Sequence, residues 1–312
     1  MPLAVFQQFL KHWHGLPEQI LDIPDVLARL EGLPLPAQLW EQAVLPARIQ
    51  RYRPGMIDTL FMQGQWLWLK LNAKPPSPGK RPTGTHKRTA ITLIQRQHLA
   101  AWRYGRTPDI SDSCLTGPAH KLLAVLCDQG ACFRFELQTE TGLLAAEMAQ
   151  GLAELVNLGL ISCDSFQGLR NIIGKPRYPD DQGRWFALKS APDTPTQRFD
   201  SALHRAKALL WRYGVVFRTL LDKEPLAPSW RNLLYALRRL EAAGEIHSGR
   251  FVQGQAGEQF ALPEAARLLA AMPRSAHSQS ATTANNTDPE QIPGICLDFT
   301  HSAMPKKLGI LK

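Results

Sequence analysis

The sequence predicts a mainly helical α+β fold made of three tandem units, each with helices followed by a β-hairpin. The first observation is a spacing, Leu-x-x-x-Gly followed two residues later by a strand-forming residue, at 60–66, 155–161 and 240–246. Such a glycine is typical of a helix end, and the residues after it favour a strand. The second observation is that the two later copies both close on Phe-Ala-Leu, at 186–188 and 260–262. Self-similarity of this kind indicates small units that bury their faces against one another.

The first unit, residues 1–95, is predicted to carry a long basic loop in its hairpin. Helices are predicted at about 3–13, 24–31, 36–45 and 54–63. The alternation over Trp66–Leu71 predicts a strand that pairs with Ala90–Ile94. Between them, residues 74–88 are rich in proline and glycine and hold no acid, which is typical of a flexible loop. Its cations include Lys80, Arg81, Lys87 and Arg88.

The second unit, residues 96–192, is predicted to contain two principal helices and a hairpin. Helices are expected over Ala119–Gln129 and over Leu143–Leu158, the latter capped by Thr141. Strands are expected at Ile161–Asp164 and Trp185–Leu188.

The third unit, residues 193–273, repeats this arrangement. Helices are predicted at Ser201–Tyr213, near Phe217–Leu221, and at Ser229–Ala243, where Ser229 is a plausible N-cap. The hairpin pairs Ile246–Val252 with Glu258–Leu262. Residues 274–312 are mostly small and polar with little to bury, so a disordered tail is predicted.

Charge is distributed unevenly, which indicates a polyanionic partner. The chain of 312 residues has a formal net charge of +9. Residues 74–110 contain 8 Lys and Arg against 1 Asp or Glu, and residues 193–274 contain 12 against 8. A localised basic surplus is typical of nucleic-acid binding. No apolar run approaches a membrane span and no secretory signal is present, so a cytoplasmic protein without a membrane partner is expected.

The sequence predicts no catalytic residue, no cofactor and no metal. It lacks a phosphate-binding Gly-x-x-x-x-Gly-Lys-Ser/Thr loop, a dinucleotide-binding Gly-x-Gly-x-x-Gly and a Gly-x-Ser-x-Gly elbow. Its five cysteines form no Cys-x-x-Cys pair, which argues against a zinc ribbon and a disulfide framework. His12 and His14 flank Trp13 without a nearby Cys or carboxylate, a pattern more typical of packing than of a metal ligand.

A compact helical unit followed by a β-hairpin is typical of a winged helix, which binds DNA with one helix and the hairpin wing. In the third unit the helix before the wing and the wing itself carry candidate DNA-binding residues, namely Arg231, Tyr235, Arg238, Arg239 and Arg250. Arg231 and Arg238 share one helix face, and Tyr235 between them could stack on a base or ribose. The alternative is a solvated helix face.

The loop of the first unit supplies the other candidates, Lys80, Arg81, Lys87 and Arg88, for which the alternative is a solvated linker. The equivalent helix of the second unit carries Glu147 and Glu154 and no base, so a structural role is predicted there.

Several motifs resemble the C-terminal region of the large helicase-related protein (Lhr) family of superfamily 2 helicases, over about residues 3–270. These motifs are Leu45-Pro46-Ala47-Arg48, Gly64-Gln65-Trp66-Leu67-Trp68, Gly168-Leu169-Arg170, Arg184-Trp185, Gly249-Arg250-Phe251-Val252-x-Gly254 and Gly257-Glu258-Gln259-Phe260-Ala261-Leu262-Pro263. In that family an ATP-driven helicase core precedes tandem winged helices and a β-barrel module, an arrangement similar to an alkylpurine DNA glycosylase fold. The resemblance therefore implies DNA binding and DNA repair.

The chain departs from the family pattern at both ends. It lacks the helicase core, so the resemblance implies no ATP-binding residue here. Only residues 298–311 resemble the first strand of the barrel, so the tail is interpreted as a remnant of a truncated barrel module. We interpret the chain as a split or truncated gene product or a separate subunit.

The leading hypothesis is a non-catalytic DNA-binding array that contacts the backbone of duplex or single-stranded DNA and acts beside a separate helicase chain. One alternative is a DNA glycosylase-like base-excision module, which needs a positioned carboxylate. Another is a scaffold for protein interaction or self-association.

Overall fold

The computed structural model describes residues 2–16, 21–73, 85–106, 114–174, 183–189 and 194–272. Its α-helices are α1 (Leu3–Trp13), α2 (Ile23–Arg29), α3 (Ala37–Leu39), α4 (Pro54–Met62), α5 (Leu99–Arg103), α6 (Gly117–Asp128), α7 (Arg134–Thr141), α8 (Ala145–Asn157), α9 (Phe166–Ile173), α10 (Pro195–Tyr213), α11 (Trp230–Ala242) and α12 (Pro263–Ala271). A π-helical turn, Trp40–Val44, continues α3, and 3₁₀ turns cover Arg96–His98 and Arg218–Lys223. Its strands are β1 (Leu35–Pro36), β2 (Trp66–Leu69), β3 (Ala90–Gln95), β4 (Cys132–Phe133), β5 (Ile161–Cys163), β6 (Arg184–Ala187), β7 (Val215–Val216), β8 (His247–Gly249) and β9 (Gln259–Ala261). Among the described residues, no helix combines the length and the apolar character needed to cross a membrane.

One topology occurs three times. The described strands form three antiparallel sheets, ordered β1-β3-β2, β4-β6-β5 and β7-β9-β8, so the last strand of each unit lies between the other two. Helical segments separate the first strand of each sheet from the second, which is the arrangement of a winged helix. The predicted α+β fold of tandem winged-helix modules is therefore confirmed. The short first strands were not predicted, because two residues are too few to show an alternating pattern.

The repeated glycine has the same conformation in each unit. Gly64, Gly159 and Gly244 have φ angles of 74°, 67° and 74°. Each donates its backbone N–H to the carbonyl three residues earlier, at 2.8, 2.9 and 2.8 Å. A side chain disfavours this left-handed backbone, so glycine ends each helix and turns the chain into the wing.

The helix predicted over Leu143–Leu158 is present as α8, which begins two residues later, but Thr141 as its cap was wrong. Thr141 is the last residue of α7, where its hydroxyl donates to the Leu137 carbonyl at 2.6 Å. Gly142 then adopts a left-handed conformation, with φ of 63°, and breaks the helix. Helix α8 begins after Leu144, whose backbone N–H donates to the Glu147 carboxylate at 2.9 Å.

Four of the described helices, α5, α7, α9 and α12, were not predicted. Helix α9 follows β5 directly and starts at a cap in which the Ser165 hydroxyl accepts the backbone N–H of Gln167 at 3.1 Å. Helix α12 begins at Pro263, immediately after β9. The predicted disordered tail, 274–312, lies outside the described residues.

The first and second units meet through their sheets. The rings of Trp68 and Trp185 are fully buried and pack edge to face, with centroids 5.9 Å apart. The Trp68 indole N–H donates to the Ser165 carbonyl at 2.9 Å, and the Ser162 hydroxyl donates to the Trp68 carbonyl at 2.5 Å. Both units therefore share one core at this joint.

The first and third units also pack closely. Phe6 on α1 contacts Phe217 with centroids 5.8 Å apart, and the Trp13 indole N–H donates to the Trp211 carbonyl at 2.8 Å. Helix α1 of the first unit therefore packs on the third, and the unit bounds 1–95, 96–192 and 193–273 stay predictions.

A buried ionic network lies at this second joint. The Arg212 guanidinium donates to Glu224 Oε1 and to the Glu31 carbonyl, both at 2.5 Å. The Tyr213 hydroxyl donates to the same Glu224 oxygen at 2.5 Å. The side chains of Arg212 and Glu224 are 1% and 2% exposed, so each charge depends on the other for compensation.

Candidate nucleic-acid interface

Helix α11 presents the predicted binding residues on its outer side. Ser229 caps the helix by accepting the backbone N–H of Asn232 at 3.4 Å, as predicted. The inner side is buried and apolar, formed by Leu233, Ala236, Leu237 and Leu240. Arg231, Tyr235 and Arg238 lie on the outer side, and all three are exposed.

These three side chains line a groove between α10 and α11. The groove has a volume of about 530 Å³, and α10 contributes Arg198 and Phe199 to it. The rings of Phe199 and Tyr235 pack edge to face, with centroids 5.7 Å apart and planes at 82°. Tyr235 remains 66% exposed, so an open aromatic surface lies among guanidinium groups.

The arginines around this groove differ in their surroundings. The Arg239 guanidinium lies over the Phe199 ring, 4.8 Å from its centroid. Arg238 forms an ion pair with Glu258 of the wing and lies 3.7 Å from the Glu241 carboxylate, so its charge is partly compensated. Arg231 and Arg239 therefore contribute most of the uncompensated positive charge on this helix.

The wing of the third unit is held by one buried glutamine. The side-chain oxygen of Gln259 accepts the backbone N–H groups of Phe251 and Val252 at 2.9 and 2.8 Å, and its amide donates to the Val252 carbonyl at 2.8 Å. Gln259 is 1% exposed. The exposed Arg250 directly precedes this braced turn, outside the set of residues that line the groove. Sequence reasoning missed the role of Gln259, although it falls within the last of the motifs that resemble the Lhr family.

The basic loop of the first unit is described only in part. Lys80 and Arg81 lie outside the described residues. Lys87 and Arg88 are exposed, and neither lines the groove on α11. Nearby, Thr85 donates both its backbone N–H and its hydroxyl to the Ala153 carbonyl on α8, at 2.9 and 2.8 Å. This end of the loop is therefore attached to the second unit.

Other residues of the quoted motifs are structural. Arg170 donates to both carboxylate oxygens of Glu41, at 2.8 and 2.7 Å, and lies 2.9 Å from the Asp58 carboxylate. These contacts join α9 to the first unit. These carboxylates outweigh the effect of burial and raise the pKa of Arg170. Arg48 is fully buried and donates to the Val44 carbonyl at 3.0 Å.

A second cavity, of about 950 Å³, lies between the first and second units and was not predicted. Its cations are Arg96, Arg184 and Lys189, and the Arg96 guanidinium lies 5.0 Å from the centroid of the Phe186 ring. Both oxygens of Asp164 accept hydrogen bonds from Arg184. Met62 and Gly64 come from the first unit and the other lining residues from distant parts of the second, so no local sequence pattern marks the cavity.

Comparisons with known proteins agree with this architecture. Residues 1–95 and 194–281 each match a family described as large helicase-related protein, winged-helix domain. The Lhr helicase/uracil glycosylase of Escherichia coli K12 is 28% identical over 285 residues, covering 79% of this chain and 17% of that protein. The Lhr helicase/probable uracil glycosylase of Mycolicibacterium smegmatis is 24% identical over 293 residues, covering 82% of this chain and 18% of that protein. The chain thus spans less than a fifth of the length of these relatives.

Among solved structures, the DNA glycosylase AlkZ of Streptomyces sahachiroi is similar, with a TM-score of 0.48 and 14% sequence identity. The similarity covers 88% of this chain and 73% of that one.

Proposed function

We propose that this chain, which belongs to the large helicase-related protein family, is a non-catalytic DNA-binding segment that holds DNA through the third winged helix and the basic loop of the first. Its task is to retain the strand, while strand translocation belongs to a helicase core. DNA is the expected partner because winged helices place cations against phosphates.

The observation that carries this proposal is the groove between α10 and α11. Its lining combines the exposed Tyr235 ring, packed on the half-buried Phe199 ring, with Arg231, and the Arg239 guanidinium lies over the Phe199 ring beside it. Aromatic rings stack on unpaired bases, and arginines neutralise phosphates without reading sequence. This combination favours a strand with accessible bases, such as the single-stranded arm of a fork.

Variants of α11 test the proposal. Tyr235→Ala removes the stacking surface, at an expected cost of about 1–3 kcal/mol in single-strand affinity, which is about a 5- to 150-fold rise in Kd. Tyr235→Phe keeps the ring and is expected to retain most of the affinity. Lys121→Gln is the control, because Lys121 is an exposed cation on α6 of the second unit.

Fluorescence anisotropy with labelled single-stranded, forked and duplex DNA separates the outcomes. The proposal expects Tyr235→Ala to weaken single-strand and fork binding more than duplex binding. If Tyr235→Ala, Lys121→Gln and the unaltered protein bind the labelled DNA with equal affinity, α11 is not part of the DNA interface.

A base-excision activity is the second candidate, favoured by the names of the two relatives and by the 950 Å³ cavity. Base hydrolysis requires a carboxylate that can activate water, and Asp128 and Asp164 line this cavity. Arg184 occupies both oxygens of Asp164, which leaves exposed Asp128 as the better placed of the two. Incubation with a uracil-containing oligonucleotide followed by alkali would reveal strand breaks, and Asp128→Asn should abolish them if this candidate is correct.

A further inference from the structure

A cluster of two histidines and one glutamate lies at the joint between the first and third units. Glu31 follows α2, His98 ends the 3₁₀ turn before α5, and His204 lies on α10. One ligand atom from each residue can be chosen so that all three lie within 4.8 Å of one another. The groove on α11 and its proposed DNA contacts do not involve these residues.

Two hydrogen bonds from neighbouring N–H groups orient the Glu31 carboxylate. Glu31 Oε1 accepts the indole N–H of Trp102 at 3.1 Å and the backbone N–H of Gln95 at 3.2 Å. The side chain is only 6% exposed. These two hydrogen bonds hold the buried carboxylate in one orientation.

The two imidazoles converge on that oxygen. His98 Nδ1 lies 2.9 Å from Glu31 Oε1, and His204 Nε2 lies 3.5 Å from it. The rings are 4.0 Å apart between centroids. His204 Nε2 is buried and has no hydrogen-bond partner among the described residues. A buried nitrogen without a partner costs free energy unless another group satisfies it.

We propose that Glu31, His98 and His204 form a binding site for a divalent transition-metal cation, with Zn²⁺ as the best match. Two imidazole nitrogens and one carboxylate oxygen suit Zn²⁺, which binds such ligands at about 2.0–2.2 Å and leaves a fourth position for water. That bond length places tetrahedral ligand atoms about 3.4 Å apart, close to the observed separations of 2.9 and 3.5 Å. The His98 side chain is 27% exposed, which gives the ion a route from solvent.

The surroundings also resemble a second coordination shell. The indole of Trp102 orients the carboxylate and packs edge to face on His204, with centroids 5.5 Å apart. Groups that orient a ligand in this way strengthen metal binding. Because Glu31 belongs to the first unit and His204 lies on α10 of the third, the ion would join α10 to the first unit.

The test uses the full-length chain without an affinity tag, stripped with a chelator and dialysed. Zn²⁺ is titrated in competition with a chromophoric chelator, and Co²⁺ absorption then reports the geometry. We expect one Zn²⁺ per chain and Co²⁺ bands typical of a tetrahedral site. His204→Gln and Glu31→Gln should lose the stoichiometric ion, whereas His247→Gln, at an exposed wing position, should keep it.

Trp102→Phe adds a graded variant, which leaves all three ligands in place but removes the indole donor. Its zinc affinity should fall by about 10- to 100-fold. For the unaltered protein, Zn²⁺ should raise Tm, a readout that needs no variant to fold. Absence of stoichiometric binding in the stripped protein, or equal stoichiometry in His204→Gln and His247→Gln, would overturn the proposal and leave a hydrogen-bonded cluster only.

Discussion

Three equivalent glycines allow a matched test of how the units are joined. Gly64, Gly159 and Gly244 each end a helix with nearly the same left-handed backbone. Alanine at any of them incurs a conformational cost of about 1–2 kcal/mol. Around Gly64 and Gly244 an added Cβ would meet no atom within 4 Å, so this cost is the expected total there.

Gly159 differs because it lies against the first unit. An added Cβ would come within 2.4 Å of the Lys70 carbonyl oxygen, a backbone atom that cannot rotate away. Relieving such an overlap typically costs a further ~1–3 kcal/mol. A backbone shift would also disturb the bond from the buried Arg103 guanidinium to the Gly159 carbonyl, now 2.8 Å long. We therefore expect Gly159→Ala to lower the free energy of unfolding by about 2–5 kcal/mol in total.

Urea denaturation, monitored by circular dichroism, measures the difference in free energy of unfolding between these variants. The free energies of unfolding of Gly64→Ala and Gly244→Ala should be similar to each other and about 1–2 kcal/mol below that of the unaltered protein. The free energy of unfolding of Gly159→Ala should be lower than both. Independent sites usually agree within about 0.5 kcal/mol. If the free energies of unfolding of Gly159→Ala and Gly244→Ala differ by less than this, the close approach of the two units at Gly159 is refuted.

Three further predictions concern buried charge. Glu224→Gln should lower the free energy of unfolding by about 3–5 kcal/mol in a denaturant titration, because it leaves buried Arg212 unpaired. Glu245→Gln, which breaks an exposed ion pair, should cost at most about 1 kcal/mol, and an equal loss would contradict the reasoning. Burial, and then neighbouring arginines, lower the pKa of His14 well below its ordinary 6.5, so stability should fall as the pH drops below that value, by up to about 1.4 kcal/mol per pH unit. Thermal scans across pH should show this slope reduced in His14→Gln. Arg170→Lys should lower Tm, because lysine cannot bind a carboxylate through two parallel hydrogen bonds; an unchanged Tm would argue against that joint.

The sequence predicted the features that depend on local spacing. Each repeated glycine follows a helix and precedes a strand, so its conformation was accessible from the pattern. The common face of Arg231, Tyr235 and Arg238 also follows from helical periodicity, and these side chains do line one groove. Their role in DNA binding stays a prediction.

The features that were missed depend on contacts between distant segments. Phe199 lies on another helix, so its packing on Tyr235 could not be inferred from α11 alone. Glu31 and His98 are 67 residues apart and have no ligand-like spacing, which is why no metal site was predicted. Helix α9 was missed because it is short and because a glycine and polar residues interrupt its apolar pattern. Ser165 before it is nevertheless a typical cap.

The most direct test of the DNA-binding account is the affinity of the purified chain for labelled forked DNA across a salt series. We expect the logarithm of the association constant to fall linearly with the logarithm of the salt concentration, with a slope of about −0.7 to −0.9 per phosphate contacted. Replacing Arg231 and Arg239 with glutamine should then make the slope shallower by about 1.4–1.8, because two phosphates are no longer neutralised. Absence of binding at low salt, or an affinity that salt does not change, would contradict the account.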